Sequence, residues 1–325
     1  MSYGVYKLKN IGLPVITSVE KFADKLGLSY NFVSALYERS DSFYRVFHIP
    51  KRNSAELRTI SHPSKELKAV QAWILRNILD FLYVSENSKG FEKQSSTLDN
   101  VLPHATSNYI LSLDLENFFP SIKINKIIQI FLSIGYNKEV SFFLASICTF
   151  HKSLPQGAPT SPKLANLVCS RMDSRIQGYS SKKNIIFTRY ADDITLSSLT
   201  IKKLTIAKKV VEGIIKNEGF TLNEKKTRFL GLRNRKKITG LIVSGNNEVR
   251  LGREKFKILR RTLYLFLKSE GQTSDINYIN GTLSYIYGVD PKTYKMLFEY
   301  INKLCSKFGI VDPNIYGLKK ISKQP

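Results

Sequence analysis

Residues 185–198 read IIFTRYADDITLSS, and no other stretch restricts the chain's fold so tightly. Two β-rich halves flank a polar Ala191-Asp192 centre, which predicts an antiparallel hairpin with Asp192 and Asp193 at its turn. Adjacent carboxylates repel by about 4 kcal/mol at ~4 Å and an effective dielectric of ~20. An Asp-Asp pair in a turn is ordinarily solvated turn chemistry. Here, however, a third carboxylate, Asp114, closes the apolar strand YILSLDL, and Tyr-x-Asp-Asp within a hairpin is a rare combination. Three such groups coexist when divalent cations neutralise them. Mg²⁺ suits the task, because it is held by a few carboxylates plus substrate phosphates. Two ions about 3.5–4 Å apart activate an attacking hydroxyl and stabilise the leaving oxygen of a phosphoryl transfer. Asp114, Asp192 and Asp193 are therefore the expected metal-binding and catalytic carboxylates.

The charge balance points the same way. Fifty Lys and Arg against 26 Asp and Glu give a net charge of +24 and a pI near 9.8. An excess of this size implies a polyanionic partner, either nucleic acid or an anionic membrane surface. The opening MSYGVYKLKN lacks an apolar core and no run approaches ~18 apolar residues, so neither a secretory signal nor a membrane span is expected. Cys148, Cys169 and Cys305 are too widely spaced for a disulfide framework or a zinc site. The four histidines show no ligand spacing, and no GxxxxGKS/T or GxGxxG motif supports ATP-driven or dinucleotide chemistry. A cytoplasmic protein that handles nucleic acid is the expectation.

Periodicity divides the chain into helical, mixed and helical parts. A helix is predicted from Ser64 through Leu82, with Leu67, Val70, Ile74, Ile78 and Phe81 on one face. In YILSLDL, Leu111, Leu113 and Leu115 share one strand face and Ile110, Ser112 and Asp114 the other. Helices follow at about 124–134, from Ser161-Pro162, and from about Lys202 to a C-terminal stop at Gly219. Strands are predicted at Lys237–Ser244 and Glu248–Leu251, then helices to the end.

At the carboxylates the chain resembles a reverse transcriptase. Tyr190-Ala191-Asp192-Asp193 resembles that family's YxDD box, and Asp114 in LDLENFFPSI its first metal-binding aspartate. Leu154-Pro155-Gln156-Gly157-Ala158-Pro159-Thr160-Ser161-Pro162 matches the LPQG…SP loop that contacts nucleotide and template. The order and spacing agree from about Arg58 to Ser244. RTISHPSKELKAVQAWILRNIL and GFEKQSS narrow the resemblance to bacterial retron reverse transcriptases. Their Asn-Ala-x-x-His and Val-Thr-Gly markers stand here, slightly altered, as Asn100-Val101-Leu102-Pro103-His104 and Ile238-Thr239-Gly240.

The resemblance implies roles for individual residues. Mg²⁺, two ions per site and replaceable by Mn²⁺, bridges Asp114 and Asp192, with Asp193 in support and the Leu115 carbonyl as a further ligand. Phe119 is the steric gate against a ribonucleotide 2′-hydroxyl, and Gln156 bonds the incoming nucleotide. Arg58 clamps the triphosphate with a bidentate fork, and Lys51 is a second phosphate contact. Lys226 protonates the leaving pyrophosphate, with Lys225 as its competitor. Asn100 and His104 touch nucleic acid. Thirteen basic residues between Lys225 and Arg261, against Glu248 and Glu254, form a surface for template and structured RNA. Within it Arg253, Lys255, Lys257, Arg260 and Arg261 present phosphate contacts from one helix.

The resulting expectation is an α+β right-hand polymerase: helical fingers at 1–107, an antiparallel-sheet palm backed by helices at 108–245, and a helical, RNA-binding thumb at 246–325. Its reaction is RNA-templated DNA synthesis from dNTPs. A cognate structured non-coding RNA serves as primer and template, synthesis starts from an internal guanosine 2′-hydroxyl, and the product is a branched RNA-DNA hybrid. The implied partners are that RNA and hybrid, an accessory effector in defence against phage, and a host RNase H for RNA removal, with no membrane. Two rivals stay open: a group II intron-type reverse transcriptase, and an RNA-binding scaffold that restrains an effector.

Overall fold

The computed structural model describes residues 3–50, 56–231, 235–243, 248–272 and 275–319. Its centre is a four-stranded antiparallel sheet of β3 (Tyr109–Asp114), β4 (Ile186–Tyr190), β5 (Asp193–Ser198) and β6 (Arg228–Leu230), in the order β4-β5-β3-β6. A two-stranded ribbon, β1 (Tyr44–Pro50) with β2 (Leu57–Pro63), precedes it. A three-stranded sheet of β7 (Lys236–Ile238), β8 (Leu241–Val243) and β9 (Val249–Leu251) follows.

The sheet is covered on both faces. Leu111, Leu113 and Leu115 enter the main core with Leu164, Met172 and Ile176 of helix Ser161–Lys182 and Leu204, Ala207 and Val211 of helix Ile201–Asn217. That core also takes in the N-terminal helices through Phe22, Val33, Leu67 and Ile74. On the opposite face Ile110 packs with Val101, Ile238, Leu241 and Val243. The last helices, Arg253–Lys268, Ile276–Val289 and Pro291–Phe308, close on a core of their own around Leu263, Phe266, Leu283 and Leu297. No helix among the described residues is long and apolar enough to cross a membrane.

Local signals act where the periodicity places them. Ser64 Oγ accepts from Leu67 N–H at 3.3 Å and starts helix Lys65–Asn77. Gly219, at φ +79, follows helix Ile201–Asn217. Three expectations are corrected. The helix from Ser64 does not reach Phe81: Ile78 leaves the helical region at φ −124, a 3₁₀ turn follows, and Phe81 is exposed. Of the expected strand Lys237–Ser244, whose last residue lies outside the described residues, Lys237–Val243 is not one strand but part of the β7-β8 hairpin, turned at Thr239-Gly240 where both residues take positive φ. The predicted helical N-terminal part also contains the β1-β2 ribbon, whose Val46, Phe47 and Ile49 are exposed, so no buried face marks its period.

Candidate active site

Strand pairing brings the carboxylates together. Asp114 ends β3 directly opposite Asp193, the first residue of β5, and opposed residues of an antiparallel pair project from the same face. Asp192 precedes it in a two-residue turn closed by the Tyr190–Asp193 pair, and its carbonyl accepts from Leu115 N–H at 3.0 Å. Ala191 occupies the first turn position at φ +58, a left-handed conformation more usual for glycine.

Charge is concentrated there beyond what water would favour. Burial, and then the field of Asp114, raise the pKa of Asp192. Burial, Asp192 and Asp114 together push Asp193 to about 7. Lys226 Nζ lies 3.0 Å from both oxygens of Asp114. Burial works against its charge, but the bond to Asp114 and the fields of Asp192 and Asp193 outweigh that and raise its pKa. The Lys226 ammonium thus stands where a cation is called for. Among the described residues no three His, Cys, Asp or Glu side chains make a metal cage by themselves. An all-oxygen carboxylate set that needs substrate oxygens to complete it fits Mg²⁺, which commonly combines one or two carboxylates with substrate phosphates.

The hairpin is held from behind by Arg189, a fully buried guanidinium on β4. Its Nε and Nη2 donate to the two oxygens of Asp173 at 2.8 and 2.7 Å, Nη2 also to Ser88 Oγ at 3.0 Å, and Nη1 to Asn166 Oδ1 and the Ala191 carbonyl at 3.0 Å each. All five N–H groups are used, and one of them fixes the carbonyl of the left-handed turn residue. Asn166 Nδ2 donates in turn to the Gly90 carbonyl and to Glu92, whose other oxygen accepts from Lys163 at 2.7 Å.

The other expected site residues fall in several places. Phe119 is half-buried, 5.4 Å from Phe118, in the short helix after Asp114. The Gln156 carbonyl accepts from Ser61 N–H at 2.9 Å. Gly157, at φ +137, lies so close to β2 that a Cβ would come within 2.8 Å of the Ser61 carbonyl oxygen. The Gln156-Gly157 segment is therefore stapled to the strand that carries Arg58. Arg58 itself is exposed, and its charge is felt by Asp192. Lys51 lies outside the described residues. On helix Arg253–Lys268, Arg253, Lys257, Arg260 and Arg261 face outward and Lys255 is half-buried, while Leu259, Leu263 and Phe266 point inward. The Arg260 guanidinium stands 4.2 Å above the Tyr300 ring.

Asn100 and His104 are a correction. Both are fully buried, so neither offers an atom to nucleic acid. His104 bonds Ser197 Oγ through Nδ1 at 2.7 Å and Thr188 Oγ1 through Nε2 at 2.8 Å, tying β4 to β5. Asn100 Nδ2 lies 3.5 Å from Thr239 Oγ1, so the two marker segments meet in space.

Sequence reasoning missed Arg189, Asp173 and Asn166. The available signals were a charge within an apolar strand and the spacing Asn166, Cys169, Asp173 along one buried helix face.

A family model described as "Reverse transcriptase (RNA-dependent DNA polymerase)" matches residues 49–263. The Retron Ec86 reverse transcriptase of Escherichia coli is 44% identical over 305 residues, covering 94% of each chain. The Retron Mx65 reverse transcriptase of Myxococcus xanthus is 30% identical over 90% of this chain and 73% of its own. Among solved structures, telomerase from Candida albicans, in complex with a fragment of telomeric RNA, matches with a TM-score of 0.50 at 13% identity. That match covers 82% of this chain and 55% of the telomerase chain, and it speaks for the fold alone.

Proposed function

Because this chain belongs to the reverse transcriptase family, and within it to the retron reverse transcriptases, we propose that this RNA-directed DNA polymerase copies a cognate structured RNA into a branched, RNA-linked single-stranded DNA. The observation that carries the reading is the pairing of Asp114 with Asp193, with Asp192 in the adjoining turn. The fingers are residues 1–107, the palm 108–245 and the thumb 246–325. Asp114, Asp192 and the Leu115 carbonyl would hold Mg²⁺, for which Mn²⁺ could substitute, with Asp193 in support. When bound, the ions would supply activation of the attacking hydroxyl and neutralise charge on the leaving oxygen.

The protein's own groups do the positioning. Arg58 takes the triphosphate, with Lys51 as a second contact, and Gln156 takes the incoming dNTP. Phe119 closes the space a 2′-hydroxyl would need. Lys226, which pairs with Asp114, donates a proton to the departing pyrophosphate. Arg253, Lys255, Lys257, Arg260 and Arg261 bind backbone phosphates of the RNA and hybrid. The product acts in the cytoplasm with an accessory effector against phage, after a host RNase H trims the RNA.

Co-expression of the gene with its flanking locus tests this, comparing wild type with Asp192→Asn/Asp193→Asn. A DNase-sensitive small nucleic acid bearing a debranchable RNA, present only in the wild type, is expected. Ordinary primer extension on RNA without that product would overturn the retron reading and leave the polymerase. Binding of RNA without any synthesis would overturn both.

A further inference from the structure

Phe91 has no part in the reading above. It is 44% exposed, with its ring centroid 6.1 Å from Phe119 and 6.5 Å from Tyr190 of the YADD turn. Behind Phe119 stands Phe118 at 5.4 Å, and Phe118 in turn lies 6.1 Å from Phe220. Phe119 therefore has two aromatic neighbours, Phe118 in the core and the partly exposed Phe91.

The backbone at Phe91 is costly to hold. Its φ of +66 is left-handed, a conformation that L-residues avoid and that persists only where the surroundings over-determine it. Both neighbours are pinned. At Gly90 a Cβ would come within 2.6 Å of the Ala191 nitrogen, so this residue lies flat against the turn. The Gly90 carbonyl accepts from Asn166, and the Glu92 carboxylate is held by Asn166 and Lys163. The same network grips Ala191 through Arg189. A phenylalanine left nearly half in water gains only part of the usual burial energy, so core packing does not account for a strained and doubly anchored position.

We propose that Phe91 is a positioning residue for sugar selection: it holds the Phe119 ring across the space of a ribose 2′-hydroxyl and locks that ring to the YADD turn. The inference rests on the reading of Phe119 as the sugar gate. Discrimination of this kind is a difference between two substrates created by a clash with one of them. A ring that can tilt away loses the clash with the ribonucleotide and changes little for the deoxynucleotide.

The test is single-nucleotide extension on a primed RNA template by the full-length protein, giving kcat/KM for an rNTP and for the matching dNTP. That ratio does not depend on the fraction of active protein, so partial misfolding leaves it unmoved. Phe91→Ala keeps a Cβ, and hence the same backbone requirement. It should raise the rNTP:dNTP ratio roughly tenfold, about 1.4 kcal/mol of lost discrimination. Phe91→Tyr, which keeps the ring, should restore the wild-type ratio. Phe119→Ala should raise the ratio further, and adding Phe91→Ala to it should change nothing more, as for two residues acting through one contact. If Phe119→Ala relaxes selection and Phe91→Ala does not, or if Phe91→Ala slows both substrates equally, the inference is wrong while the gate stands. An unmoved ratio in Phe119→Ala would remove the gate reading, and this inference with it.

Discussion

Mild acid should weaken this protein through His104, and a variant should isolate the effect. The imidazole is fully buried between β4 and β5 with both nitrogens engaged by hydroxyls. Burial pushes its pKa down from 6.5 to about 4. The sign follows from linkage. Between those values the unfolded chain binds a proton that the folded chain refuses, so stability is full above pH 6.5 and falls as pH drops toward 4. At pH 5 the two pKa values correspond to a loss of about 2 kcal/mol, rising to about 3 kcal/mol below pH 4. Asp193, raised to about 7, acts in the opposite sense over the same window. The measurement must therefore be a difference. Urea unfolding followed by the fluorescence of Trp73, the single tryptophan, under reducing conditions at pH 8 and pH 5, supplies it for wild type and for His104→Gln. The substitution shifts both midpoints through its lost hydrogen bond, but the wild type should lose about 2 kcal/mol more between the two pH values. Equal losses would refute the buried neutral histidine.

The cradle behind the turn makes two further expectations. Asp173→Ala strands the Arg189 guanidinium in the core and should cost about 3–5 kcal/mol in urea unfolding; a loss below ~1 kcal/mol would contradict the buried pair, since exposed ion pairs lie in that range. Gly90→Ala sets a Cβ 2.6 Å from the Ala191 nitrogen and 3.1 Å from the Tyr190 carbonyl carbon, backbone atoms that cannot swing aside. Primer extension should fall at least ~tenfold, or about 1.4 kcal/mol of barrier, with an unchanged circular dichroism spectrum. Gly178→Ala, on an open helix surface, should leave activity intact and add up to about 1 kcal/mol of stability. Full activity in Gly90→Ala would show that the turn tolerates displacement.

What was legible in the sequence was local or carried by whole motifs. The period of two in YILSLDL, the polar break at Ala191-Asp192, the Ser64 cap and the Gly219 stop each depend on a few neighbouring residues, and each is where the pattern put it. The carboxylates were legible for a related reason: strands of that period, once paired, leave few ways to arrange Asp114 and the hairpin. The β1-β2 ribbon escaped because an exposed strand carries no burial pattern.

The sequence by itself therefore determined the family: three acidic groups on a hairpin and strand, a strongly basic balance, and the LPQGAPTSP segment in order. Only the tertiary structure decided which polar residues stay at the surface and which are consumed inside. His104 looks like a reader of RNA and is a brace, because hydroxyls from two strands surround it. Arg189 looks like one more cation in a basic chain, yet its acceptors come from Ser88, from a helix and from the turn it fixes. Burying such a group is tolerable only when distant segments bring the right atoms to it. That condition is set by the packing of the whole chain, and no local pattern encodes it.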